Sequence, residues 1–183
     1  MSASSEHDAY ILGTAQVELD RLALQNEIWR EITEQLWDRA GFTAGQHLLE
    51  LGCGPGFSSL AMAHRTGPEG GVLGWDRSAQ FLAHLRARAA QASITWLETH
   101  HGDVTEQLDI ALHDKFDGVF ARWLLCWMPR PQDAIKLAAK ALKCGGKLVI
   151  QDYFHYHAID LLPQDPAFRV GIDKGVFMAT VKQ

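Results

Sequence analysis

Cysteine is scarce in this chain. Among 183 residues there are three, Cys53, Cys126 and Cys144, and no CxxC pair. That argues against a disulfide framework or a structural zinc site, and it favours a reducing, cytoplasmic setting. Positive charge is also in deficit. Lys and Arg number 17 against 22 Asp and Glu, for a net charge of −5. A sequence-independent nucleic-acid binder needs a basic face, so no nucleic-acid partner is expected. No apolar run reaches the roughly 18 residues of a transmembrane helix, so no membrane span is expected. The opening Met1-Ser2-Ala3-Ser4-Ser5-Glu6-His7-Asp8 has neither the basic nor the apolar region of a signal peptide. Internal repeats and low-complexity tracts are absent.

What is present is ordinary globular composition, 47% hydrophobic and 21% charged. At roughly 150 residues per domain the length corresponds to about one domain.

The segment from Thr14 to Ala40 reads as a helix. Leu24, Ile28, Ile32 and Leu36 recur every four residues, and Leu22, Trp29 and Trp37 widen the stripe expected to face a core. Gly41 supplies its stop. Beyond it the pattern alternates. Strands are expected at 47–51, 71–75, 94–98, 116–121 and 147–151. Helices are expected at 57–65, at about 79–91 behind a Ser78 cap, and from Pro131 to Leu142. Gly145-Gly146 would stop the last of these, and a weak helix is expected over about 165–181. Such alternation predicts βαβ units, hence an α/β fold with a parallel sheet and helices on both faces. In such sheets ligands bind beyond the carboxyl ends of the strands.

The residues at those ends carry the chemistry. Glu50-Leu51-Gly52-Cys53-Gly54-Pro55-Gly56 follows the first strand. Its glycines permit a sharp turn and close approach of a ligand to the backbone. A dinucleotide fingerprint would need glycine at 57, where Phe57 stands, and Glu50 would repel a pyrophosphate. A nicotinamide-dependent dehydrogenase is therefore disfavoured, and a ligand with a positive centre and no phosphate suits the loop better. A tight turn with no ligand is the bland alternative. Asp76 ends the second strand about 20 residues on, where an acid can accept from both hydroxyls of a ribose; a helix cap is the alternative. Asp103 and Val104 follow the third strand, where an acid can accept from an adenine amino group and Val104 gives an apolar edge. A turn-capping Asp is the alternative.

Together, Glu50 to Gly56, Asp76, Gly102-Asp103 and the Gly145-Gly146-Lys147-Leu148-Val149-Ile150 strand resemble the class I S-adenosylmethionine-dependent methyltransferases, of the small-molecule type with an N-terminal helical lid. The resemblance covers about Gln46 to Asp152. It implies a three-layer Rossmann-like fold and S-adenosyl-L-methionine as cofactor. Gly52, Cys53 and Gly54 would lie under its methionine and sulfonium portion, Asp76 would hold the ribose, and Arg77, Asp103 and Val104 would border the adenine. Arg122 would contact the cofactor through backbone or side chain. Trp123, Trp127 and Met128 would floor a substrate pocket, with plain core as the alternative. In the lid, Arg21 would pair with the methionine carboxylate, Tyr10 would donate to the same group, and Gln25 would reach the amino-acid moiety. A solvated helix face with Arg21 paired to Glu18 or Glu27 is the competing reading.

Methyl transfer from a sulfonium is an in-line displacement with a ready leaving group, so positioning can supply much of the acceleration. A base is needed only where the acceptor must lose a proton. Asp152, Tyr153, His155 and His157 are the candidates, with His155 a weak catalytic one. No third ligand stands at a diagnostic spacing, so no metal is expected. Cys53 is read as small for a crowded turn rather than as a nucleophile.

The expected division is 1–45 for the helical lid, 46–152 for the cofactor-binding core, and 153–183 for the start of a truncated substrate-side region. The resembled family closes its sheet with two further strands, so a fragment is expected here. Its bare sheet edge would be open to self-association. The expected function is methyl transfer to a small-molecule acceptor. The alternative is a protein that binds the cofactor without catalysing transfer.

Overall fold

A computed structural model describes residues 16–105 and 109–153. Tyr10, His155, His157 and the expected helix over 165–181 lie outside the described residues.

Five parallel strands form one sheet: β1 (His47–Leu51), β2 (Gly71–Asp76), β3 (Leu97–His101), β4 (Phe116–Arg122) and β5 (Leu142–Gln151). Their spatial order is β3-β2-β1-β4-β5. The chain winds outward from β1 in one direction and then restarts on its other side at β4. The reversal leaves a crevice at the carboxyl ends of β1 and β4.

Helices cover both faces, as expected. Helices α1 (Gln16–Ala40), α2 (Phe57–Thr66) and α3 (Ala79–Gln91) lie on one face. There Trp37, Leu48, Met62, Val72, Leu82, Leu85 and Phe120 form a buried cluster. Helix α4 (Pro131–Ala141) covers the other face. Its Leu137 and Ala138 pack with Leu49, Leu51, Trp75 and Val119. Strand β1 alternates between the clusters, which is why its sequence is apolar at nearly every position. Ser78 caps α3 by accepting from the Phe81 amide at 3.3 Å.

Three local expectations need correction. Strand β3 begins at Leu97, not Ile94. Ser93 has φ +55°, and the Ile94 amide donates back to the Ala89 carbonyl at 2.9 Å. Ile94 is buried in the core, so its apolar character serves the end of α3 rather than a strand. The pair Gly145-Gly146 does not stop α4, which ends at Ala141; both glycines lie within β5. Gly145 has φ +82°, and the ladder shifts register between the pairs Phe116–Leu142 and Gly118–Lys147. The glycines thus serve a bulge, where one strand must absorb extra residues.

The third correction concerns α1. Leu24, Ile28 and Ile32 are exposed at 63%, 67% and 47%. Trp37, from the expected stripe, is buried in the core, but the rest of the inward face carries Glu18 and Thr33. Thr33 Oγ1 donates to Gln151 Oε1 at 2.7 Å, fastening α1 to the end of β5. Polar contacts and the buried Trp37, which meets Phe120 edge-on at 5.3 Å, together hold the helix in this orientation.

Candidate functional site

The loop after β1 is shaped by glycine. Gly52, Gly54 and Gly56 have φ of +68°, +53° and +81°, a region costly for residues with a Cβ. The Gly52 and Cys53 amides both donate to the Trp75 carbonyl, at 2.8 and 3.1 Å, which pulls the loop across the end of β2. A Cβ at Gly74 would meet Cys53 Sγ at 3.1 Å and Ser59 Oγ at 3.2 Å. The crowding explains a small residue at 53. Burial pushes the Cys53 thiol up, away from the nucleophilic thiolate.

Glu50 points to the same face of β1 as Leu48 and is only 2% exposed. The Ser59 hydroxyl of α2 donates to its carboxylate. Burial raises its pKa from 4.5 to about 7, against the opposing pull of Ser59 and the Arg122 guanidinium. Asp76 is also buried, at 7% exposure. Its two oxygens accept from the Gly54 amide at 2.7 Å and the Ser78 amide at 2.8 Å. It therefore braces the glycine loop. Burial raises its pKa, opposed by those two amides. Asp103 Oδ1 takes both the Thr105 amide and hydroxyl, at 2.8 and 2.7 Å, so the turn-capping role holds for that oxygen.

These strand ends open into one cleft of about 250 Å³. Arg21, Gln25, Glu50, Gly52, Cys53, Gly54, Asp76, Arg77, Asp103, Val104 and Arg122 all line it. Every cofactor-site candidate among the described residues is thus gathered at one place, while the candidate base Asp152 is not part of its lining. Trp123, Trp127 and Met128 line it too. Trp127 is 53% exposed, so it is cleft wall and not core. A Cβ at Gly54 would meet no protein atom within 4 Å, so the loop leaves open space above its backbone.

A sequence model of the family described as "Methyltransferase domain" matches residues 42–175. The chain belongs to this methyltransferase-domain family. It is 33% identical over 116 residues to a trans-aconitate 2-methyltransferase of Mycobacterium sp. (strain KMS), covering 62% of this chain and 40% of that one. It is 33% identical over 134 residues to a demethylmenaquinone methyltransferase of Tropheryma whipplei (strain Twist), covering 72% and 51%. The chain therefore spans about half the length, or less, of these curated relatives. Two solved structures share the fold. A SAM-dependent methyltransferase from Aquifex aeolicus superposes with TM-score 0.60 at 16% identity, over 66% of this chain and 63% of that one. A candidate S-adenosylmethionine-dependent methyltransferase from Methanococcus maripaludis superposes with TM-score 0.67 at 21% identity, over 94% and 73%.

Within this methyltransferase domain, the side chains with the most polar partners near the cleft are not all those expected. Arg122 reaches α1, donating to Asn26 Oδ1 at 2.8 Å and Thr33 Oγ1 at 3.3 Å. Arg21 grips Glu18 through two bonds of 2.7 Å, the competing reading of the sequence, while still lining the cleft. Asp152 accepts from the Leu125 and Tyr153 amides at 2.8 Å each, which holds the turn at Leu125–Trp127. Its carboxylate orders the cleft wall rather than standing free as a base. Asn26, Thr33 and Gln151 escaped the sequence reading. They carry no motif, and the Thr33–Gln151 contact joins residues 118 apart. Among the described residues no group of three His, Cys, Asp or Glu could hold a metal ion, and no helix is long and apolar enough to cross a membrane.

Proposed function

We propose that this domain binds S-adenosyl-L-methionine and transfers its methyl group to a small-molecule acceptor. The observation that carries the reading is three carboxylates, from the ends of three adjacent strands, facing one cleft around a glycine loop with open space above it. That set matches a ligand with a cationic amino-acid end, a diol and an aromatic amine, and no phosphate. Glu50 faces the positive centre, and Gly52, Cys53 and Gly54 support the methionine portion. Asp76 takes the ribose hydroxyls while its amide partners fix its orientation. Arg77, Asp103 and Val104 border the adenine, with the second oxygen of Asp103 accepting. Arg122 orients α1 over the cleft. Arg21 exchanges Glu18 for the ligand's carboxylate, which a guanidinium fork suits equally well, and Gln25 and Tyr10 assist there.

A bound S-adenosyl-L-methionine would supply an activated methyl on a sulfonium, a ready leaving group for transfer to the acceptor. The protein's share is to align the acceptor and exclude water, through the walls built by Trp123, Trp127 and Met128. Tyr153 lines the acceptor end, and burial raises its pKa, so its hydroxyl stays protonated at neutral pH. It acts there as a hydrogen-bonding group and not as a base. His155 and His157 are the remaining candidate bases.

Three free cysteines, one of them buried, support a cytoplasmic setting. Strand β5, at the sheet's edge among the described residues, is the surface for self-association, read by sedimentation velocity. The central test is calorimetry with S-adenosylhomocysteine, followed by consumption of S-adenosylmethionine over an acceptor panel. Tighter binding of NAD than of S-adenosylhomocysteine would overturn the proposal.

A further inference from the structure

The cleft has two chemically different ends. Its carboxylates, Glu50, Asp76 and Asp103, all stand on the β1–β2–β3 side. The β4–β5 side is aromatic. We propose that this end is a slot that selects a planar, uncharged ring as the methyl acceptor. The inference rests on the methyl-transfer reading above and specifies its substrate class.

Trp123 is the centre of the slot. It stands just past β4 with φ +49°, a conformation that a bulky residue rarely adopts. Its amide donates to the Gln151 carbonyl at 2.9 Å, which fixes that backbone against the end of β5. Its ring is buttressed on several sides. Trp29 meets it edge-on at 6.0 Å and 80°. Tyr153 lies nearly parallel to it, at 6.3 Å and 20°. The Arg122 guanidinium sits 4.8 Å from its centroid. Trp127, which is 53% exposed, lines the same cleft together with Met128 and Pro129. A half-exposed tryptophan in a cleft gains little from packing within the protein. It gains most when a flat apolar surface covers it.

The charges at this end discriminate among acceptors. A cationic acceptor would normally suit an aromatic cage. Here Arg122 already lies on the Trp123 ring, so a second cation would meet like charge. A polycarboxylate would seek guanidinium partners at this end, yet Arg122 is bonded to Asn26 and Thr33, and Arg21 is taken by the cofactor's own carboxylate in the reading above. A thiophilic metalloid would need converging thiols. Cys53 is buried, Cys144 is exposed in the β5 bulge, and neither meets Cys126 in a ligating cluster. A neutral ring matches what remains.

The test is calorimetry on the full chain saturated with S-adenosylhomocysteine. The probes are 2-naphthol, cyclohexanol, tricarballylate and choline. Naphthol is expected to bind at least about tenfold tighter than cyclohexanol, which offers the same hydroxyl without a plane. Tricarballylate and choline are expected to bind more weakly than naphthol. Trp127→Ala removes an exposed side chain, and Trp123→Gly suits the positive φ, so each is compatible with folding. Each should weaken naphthol about tenfold and leave S-adenosylhomocysteine within about twofold. Equal binding of cyclohexanol, tighter binding of choline or tricarballylate, or unchanged naphthol affinity in both variants overturns the proposal. Loss of naphthol binding with S-adenosylhomocysteine in place sinks the slot alone. Failure of S-adenosylhomocysteine to bind sinks the cofactor reading beneath it.

Discussion

Replacing Glu50 by Gln should stabilise the ligand-free protein while abolishing its ligand response. Glu50 is buried with a pKa of about 7 where an ordinary value is 4.5. The folded state thus holds this proton more tightly than the unfolded chain does. Below pH 4.5 both states are protonated and there is no penalty. Between 4.5 and 7 the unfolded chain ionises first, and stability falls as pH rises. Above 7 the full cost stands, about 3 kcal/mol from the displacement alone. Gln keeps an acceptor for the Ser59 hydroxyl but loses the attraction to Arg122, which offsets part of the gain. The net stabilisation expected at pH 8 is about 1–3 kcal/mol, shrinking toward nothing near pH 4.5. In a domain of this size that is roughly 2–4 °C in Tm per kcal/mol. Paired urea and thermal melts of both proteins from pH 5 to 8 measure it. S-adenosylhomocysteine should raise the wild-type Tm and leave the variant's unmoved. A gap that does not widen with pH, or a variant that responds to the ligand as fully as wild type, refutes the assignment.

Arg21→Ala should weaken S-adenosylhomocysteine by about tenfold in calorimetry and lower Tm, because it strips the buried Glu18 carboxylate, 9% exposed, of its partner; unchanged affinity removes Arg21 from the site. Gly56→Ala should cost about 2–4 kcal/mol in chemical denaturation. Its φ is +81°, and a Cβ would lie 2.2 Å from Leu85 Cδ1. A loss below about 1 kcal/mol would show that the loop can relax. Thr33→Val should cost about 1–3 kcal/mol, because Gln151 and Arg122 each lose a buried partner. A neutral effect would mean that α1 is held by something else.

The β1–β2–β3 side of the cleft was legible as a place where residues converge, because its signals are local. Glycines that need positive φ, an apolar run buried on both faces, and an acid at each strand end all stand next to the element they serve. Strand β3 was misplaced because Ile94-Thr95-Trp96 has strand composition, while the αL residue Ser93 folds Ile94 back onto α3. The face of α1 was misjudged for another reason. A four-residue apolar recurrence reports that a helix has two faces, not which of them meets the sheet. Thr33, Asn26, Arg122 and Gln151 hold α1 in place together with the buried Trp37, through partners far apart in sequence. The pairing of Arg21 was left open by the sequence between a ligand and Glu18, because both anions suit a guanidinium.

The polar fastening of α1 has a thermodynamic consequence. Hydrophobic burial leaves its mark as a heat-capacity change on release. The first turns of α1, ahead of Trp29 and its contact with Trp123, already show Val17 and Leu24 to water, so detaching them would uncover little new apolar surface. Their opening should therefore depend only weakly on temperature and denaturant, unlike global unfolding. In native-state hydrogen exchange the amides of residues 20–25 would exchange by a route nearly flat in urea, while those of β1 follow the steep global one. The roof of the cleft can then lift without melting the floor.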